Sequence, residues 1–212
     1  MSLVFNGARQ NTTTSSAALF NLSFTVMCWV KVFSGTSAQC IVSEQFSGTA
    51  QAFRLYWENG TITTERGYAQ GGTRYISVDS LATYPTGIYT HVAASFDGDN
   101  LRLYVDGVYQ GMATTFRTPH SPVSNTLGAR RTGISSWDQY LNGEILDYRH
   151  YASVLPDDQI STIACTGGLD FITLNLSERH IMFGVPGVNA TSLDDWSQNN
   201  RDRTVTTTIP FG

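Results

Sequence analysis

Apolar and polar residues alternate with a period of two along most of this chain, the spacing of strands that bury one face. The most compact instance is Thr90–Gly111. Val92, Ala94 and Phe96 alternate with more polar neighbours, Asp97-Gly-Asp-Asn100 supplies turn residues, and Leu101, Leu103 and Val105 alternate again. Asp106-Gly107 then gives a two-residue hairpin signal, because a type I′ turn needs positive φ at both central positions. Three consecutive strands joined by two tight turns are predicted. Phe24–Phe33 is the strongest single strand. Phe24, Val26, Cys28 and Val30 share one face, while Met27 and Trp29 make the other face partly apolar as well.

Shorter strands are predicted at residues 2–6, 39–45, 52–57, 61–66, 75–78, 125–129 and 143–151. Residues 11–16 and 67–73 read as turn-rich or glycine-rich connections, and a Trp137-containing loop separates the last two strands. Residues 24–33 and 39–45 read as a hairpin closed by Ser34–Ala38. Pro156–Ile163 is the one helix signal: proline suits a first turn, and Asp157-Asp158 complement the N-terminal dipole. At about two turns it is a lid or connector rather than a layer. Strand-like runs return at 171–176, 180–183 and 204–209. With no repeat and no linker, the expectation is one all-β domain over 1–212: a two-sheet antiparallel sandwich with one short helix, its closing strands in 166–212.

Composition narrows the partners. A net charge of −4, with no basic run beyond Arg130-Arg131, argues against nucleic acid. No apolar run approaches the roughly 18 residues of a membrane span. Lys31 is the single lysine, so twelve of the thirteen basic residues are arginine. Arginine's rigid fork favours buried, interfacial or anion-binding positions, and compositional drift explains the bias equally well. Three cysteines leave at least one unpaired. In the hairpin just described Cys28 and Cys40 fall out of register, so no bridge is expected between them. The opening Met1–Gly7 lacks a basic and then apolar leader pattern. Folding in a reducing compartment is the expectation.

Four segments carry a resemblance. Phe24-Thr-Val-Met-Cys-Trp-Val-Lys31, Thr90–Gly107, Asn142–Ile160 and Asp195–Val205 follow one another in this order. They resemble the early core strand, central meander, late strand with acidic-capped helix, and closing turn and strand of the laminin-G-like, concanavalin A-like jelly-roll family. The resemblance spans nearly the whole chain and implies a jelly roll. It does not imply one function, since that fold hosts lectins, adhesion modules, glycosidases and virion proteins. Many members hold a structural calcium with backbone carbonyls and an aspartate in a Gly-Glu-Ile-Asp strand. Here Leu146 stands at that aspartate position and Asp147 follows one residue later, on the other face of the sheet. No cofactor or metal is therefore expected. Asp97, Asp99, Asp194 and Asp195 read as turn and capping residues.

Glucanase members use two carboxylates along one strand, and retaining hydrolysis needs them about 5 Å apart. Glu144-Ile-Leu-Asp147 is the nearest local candidate, and its spacing of three puts the two on opposite faces of a strand. Glu44, Glu58 and Glu65 form no pair on a common strand face. His91, His120, His150 and His180 lack ligand spacing, and no Gly-x-Ser-x-Gly elbow occurs. His91 reads as a hydrogen-bonded structural histidine. The expectation is a protein that is not an enzyme, with no catalytic residue.

A binding surface remains. Sugars are recognised by aromatic faces against C–H surfaces and by planar polar groups for hydroxyls. Tyr56 and Trp57 precede the Asn59-Gly60 turn; Tyr68, Arg74 and Tyr75 flank the glycine-rich loop; Arg130, Arg131, Trp137 and Tyr140 cluster in another long connection. Trp57 and Tyr140 read equally as core or rim packing. Trp137, with no apolar periodicity around it, is the aromatic expected to be exposed. Three functions follow: a virion surface protein (capsid decoration, head fibre or tail) that adheres to a glycan or host surface; a free carbohydrate-binding module; and, disfavoured by the carboxylates, a glycoside hydrolase. The partners expected are a glycan or a capsid or tail protein, with self-association left open.

Overall fold

The computed structural model describes residues 2–14, 23–47, 50–69, 73–116, 118, 124–133, 135–170, 172–180, 189–193 and 203–210, the last two segments as backbone. It is an antiparallel two-sheet jelly-roll sandwich. The first sheet has seven strands. In spatial order these are β1 (Leu3–Asn6), β14 (Asn142–Tyr151), β3 (Phe24–Val32), β8 (Thr90–Phe96), β9 (Asn100–Val105) and β10 (Val108–Thr114), with β15 (Leu176–His180) also on β14. The second has eight strands, ordered β16 (Asn189–Leu193), β17 (Arg203–Pro210), β2 (Thr12–Thr14), β11 (Ser124–Leu127), β4 (Gln39–Ser47), β5 (Ala50–Glu58), β6 (Thr61–Ala69) and β7 (Thr73–Asp79). A two-stranded ribbon, β12 (Arg130–Arg131) and β13 (Trp137–Asp138), stands apart from both.

The alternation read from sequence sets which side chains meet. Phe24, Val26, Cys28 and Val30 of β3 and Val92, Ala94 and Phe96 of β8 point inward. They meet Phe53, Leu55 and Trp57 of β5 in one core. Phe24 sits edge-on to Phe53, their ring centres 5.3 Å apart. The β8–β10 meander forms as predicted: Asp106 and Gly107 take φ of 51° and 75°, and the Asp97 carboxylate accepts the backbone N–H groups of Asp99 and Asn100.

The predicted hairpin between residues 24–33 and 39–45 does not form. β3 pairs with β14 and β8, whereas β4 pairs with β5 and β11, so Ser34–Ala38 crosses between sheets. Cys28, Cys40 and Cys165 are all unbridged. The expected loop at 67–73 shrinks, because β6 and β7 extend into it. Gly67 belongs to the strand, where a Cβ would overlap the Gln51 carbonyl oxygen. The polar stretch at 11–16 contributes β2, and the Trp137 loop folds into the ribbon.

Helix α1 (Asp157–Cys165), with Pro156 as its N-cap residue, lies on the outer face of the first sheet. Ile160 and Ile163 join Met27, Ala93, Tyr104, Tyr151 and Leu155 in a second apolar cluster. Asp157 accepts the Tyr104 hydroxyl at 2.8 Å. The helix thus seals that face rather than merely connecting strands. Of the closing runs, 204–209 lies within β17; 171–176 gives only the start of β15, and Phe183 and the turn at 195–202 lie outside the described residues.

Candidate functional site

Among the described residues, no helix lies over the outer face of β5, β6 and β7 in the second sheet. Since Phe53, Leu55 and Trp57 face the core, Arg54 and Tyr56 face outward. The register then builds a cross-strand cluster: Arg54 opposes Glu65, Glu65 opposes Ser77, Tyr56 opposes Thr63, and Gly67 opposes Tyr75. Arg54 donates to Glu65 through Nε at 3.2 Å and Nη2 at 2.8 Å, and through Nη1 to Gln139 at 2.7 Å. Its guanidinium lies 4.1 Å from the centre of the Tyr56 ring, and the Tyr56 hydroxyl donates to Glu65 at 3.1 Å. Burial and then Glu65 push the Tyr56 phenol up to about 12, so it remains a donor.

Beside this cluster stands the ribbon, anchored on β4 by Ser43, whose hydroxyl donates to the Ala129 carbonyl at 2.9 Å. Arg130 forks onto Asp138, donating through Nε at 2.7 Å and also through Nη2. Tyr75, 40% exposed, sits where the charges of Glu65, Arg54 and Arg130 all reach its hydroxyl. The Gln51 backbone hydrogen-bonds that hydroxyl, and the Gln51 side chain donates to the Arg131 carbonyl at 2.5 Å. Burial raises the Tyr75 phenol above its usual range.

The structure therefore brings together Tyr56, Tyr75 and Arg130 of the residues singled out in sequence. Trp57 resolves to the core: it is 4% exposed, with Nε1 donating to the Tyr84 carbonyl. Trp137 is half-buried rather than exposed, paired with Arg131, whose guanidinium lies 5.9 Å from its ring centre. Tyr140 lines a separate cleft. Tyr68 lies one position along β6 from Gly67, on the other face from Tyr75, and pairs through the backbone with Arg74, whose side chain is not among those described. The binding residues missed are Arg54 and Glu65, the ion pair on which Tyr56 rests. Outward alternation on β5 was the available signal; the cross-strand register that joins Arg54 to Glu65 was not.

The chain matches the family model described as the concanavalin A-like lectin/glucanases superfamily over residues 6–161. It belongs to that superfamily. Among solved structures it is similar to a heptameric SAP-like pentraxin from Limulus polyphemus, with TM-score 0.65, 18% identity, and coverage of 79% of this chain and 83% of that one. A Bacteroides ovatus protein provisionally described as carbohydrate-binding aligns at TM-score 0.71 and 13% identity, covering 98% of this chain and 58% of that one. The CBM40 of Ruminococcus gnavus IT-sialidase, bound to α2,3 sialyllactose, aligns at TM-score 0.63 and 15% identity, covering 77% and 98%. At these identities the likeness is one of fold. Comparison with curated proteins gave no match.

The superfamily's carboxylate and calcium chemistry can be tested on β14. Leu146 pairs with Trp29 and Arg149 with Met27, so β14 carries one extra residue here, and Asp147 takes φ of 46°. This bulge overturns the opposite-face expectation for Glu144 and Asp147, since an inserted residue restores both to the outer face. Each is held by cations. Asp147 accepts from Arg149 at 2.7 and 3.1 Å and from Arg179 at 2.8 and 3.0 Å; Glu144 pairs with Lys31 at 3.0 Å. Asp170 also accepts from Arg149, at 2.8 Å. A calcium does not fit: the Leu146 side chain offers no oxygen, and two guanidinium groups already occupy the acceptors of Asp147. His91 is buried and packs against Trp29 with the rings tilted at 60°, centres 4.5 Å apart, but its ring nitrogens have no hydrogen-bond partner among the described residues. Only its backbone is tied, to Asp106. His120, Asp194 and Asp195 lie outside the described residues.

Proposed function

We propose that this chain is a non-catalytic carbohydrate-binding module whose ligand lies on the outer face of β5, β6 and β7. The observation that carries this reading is Tyr75, an exposed ring flanked by two ready-formed arginine–carboxylate pairs, Arg54–Glu65 and Arg130–Asp138. A sugar ring places its C–H surface on Tyr75 and its hydroxyls against guanidinium N–H donors and carboxylate acceptors. Because Arg54 is already fixed by Glu65, Gln139 and the Tyr56 ring, little side-chain entropy remains to be lost on binding. The carbohydrate-binding fold neighbours support the same class of ligand.

The test is a glycan array followed by calorimetry on the best ligand. Tyr75→Ala is expected to weaken binding by roughly 2 kcal/mol, while leaving the thermal midpoint within a few degrees. Unchanged affinity in that variant would move the ligand elsewhere. Incubation with laminarin is expected to release no reducing sugar, and turnover would overturn the non-catalytic reading.

A further inference from the structure

A second concavity opens where the turn after β1, the crossing before β4 and the residues between β13 and β14 converge. It is a cleft of about 470 Å³, within the range of small-ligand sites, and among the described residues none that lines it is charged. Its floor is fixed before any ligand arrives. Gln39 is 6% exposed, donates its amide to the Ser34 carbonyl at 2.7 Å and accepts the Asn142 backbone N–H at 2.8 Å. The Asn142 amide donates to the Ser34 hydroxyl at 3.0 Å. Gly35, with φ of 122°, keeps the rim open: a Cβ there would stand 2.6 Å from the Gln39 amide nitrogen. Tyr140 supplies a half-buried aromatic wall and Thr36 an exposed hydroxyl.

The cleft is joined to the face described above by one side chain. Gln139 lines the cleft while its amide oxygen accepts Arg54, leaving the amide NH₂ as a donor. Amides and hydroxyls, with no ionised group, match ligand hydroxyls and offer no counter-charge to an acid. We infer that the cleft is a second subsite for a neutral sugar unit, and that the ligand is an oligosaccharide spanning from Tyr75 to Tyr140. This rests on the carbohydrate reading of the Tyr75 face, but its test separates the two.

Calorimetry would compare glucose-, galactose- and mannose-built hexasaccharides with their monosaccharides, and with sialyllactose as the acidic probe. Ser37→Trp, on the exposed rim, fills the cleft without touching the Tyr75 face; Thr36→Tyr is a second block on the same rim. With the best hexasaccharide, either block is expected to cost about tenfold in affinity and to leave monosaccharide binding unchanged. Tyr75→Ala should weaken both. Native-like hexasaccharide binding in both blocked variants overturns the subsite while leaving the face intact. Loss in the blocked variants with none in Tyr75→Ala overturns the face reading and keeps the cleft. Binding of sialyllactose alone overturns the neutral class, and no binding of any sugar overturns both.

Discussion

On the outer face of the first sheet, Met27, Ala93, Tyr104 and Tyr151 meet Leu155, Ile160 and Ile163 beneath α1; on the outer face of the second, Arg54, Tyr56, Glu65 and Tyr75 meet solvent and a two-stranded ribbon. Both faces carry arginine–carboxylate pairs. The cluster around Asp147 on the first is sealed: the Arg149 side chain is 0% exposed, and Asp147 and Asp170 nearly so. The Arg130–Asp138 pair of the second is 29% and 45% exposed. Identical chemistry thus does different work. A sealed pair ties the chain together, because a lone buried charge is costly, whereas a wet pair adds little to stability and stays available to a ligand.

The largest effect expected from this contrast is on stability. Arg149→Met leaves Asp170 without its guanidinium and Asp147 with Arg179 alone, and should cost about 3–5 kcal/mol in denaturant unfolding. The same change at Arg130 should cost less than about 1 kcal/mol. Equal losses at the two sites would break the distinction between sealed and open faces.

His91 probes the sealed face by pH. Burial first, then the Arg149 charge, push its ring down to about 4, against the opposing pull of Asp147 and Asp170. The unfolded chain takes up this proton near 6.5 and the folded chain only near 4, so the native state loses stability as pH falls through that window. A shift of this size corresponds to about 3 kcal/mol between pH 7 and pH 4. His91→Phe should flatten that part of the stability–pH curve, since phenylalanine keeps the ring contact with Trp29 without a proton to bind. An unaltered slope would show that other groups set the acid limit and that the space around His91 is wet.

Sequence revealed most where structure is local. The β8–β10 meander was legible because its turns are encoded in two short motifs, Asp97–Asn100 and Asp106-Gly107, whose chemistry fixes the chain reversal. β2 was not, since Thr12-Thr-Thr14 has no alternation and becomes a strand only by pairing with β11 and β17. The wrong hairpin has the same origin: β3 finds its partners far away in sequence, and nothing in residues 24–45 names them. Tyr75 and Arg130 could be singled out one at a time, but Arg54 and Glu65 are joined only by register. The bulge at Asp147 was hidden because its left-handed backbone is carried by a non-glycine residue, which alternation cannot reveal.

That bulge yields the smallest expected effect. Asp147 receives four N–H donors from Arg149 and Arg179, so its charge is matched by side chains where many members of the superfamily use a metal. Thermal unfolding in excess chelator and in added calcium should then differ by less than about 0.5 kcal/mol. The measurement is sensitive enough to matter: a native site of millimolar affinity would add about 1.4 kcal/mol in roughly 10 mM calcium. A calcium-dependent rise of that size in the native protein, retained in Arg149→Met, would locate a metal away from the arginines. A rise seen only in Arg149→Met would show that the guanidinium excludes the ion from Asp147. The second outcome would sharpen the contrast between the faces, making arginine the cation that closes the first.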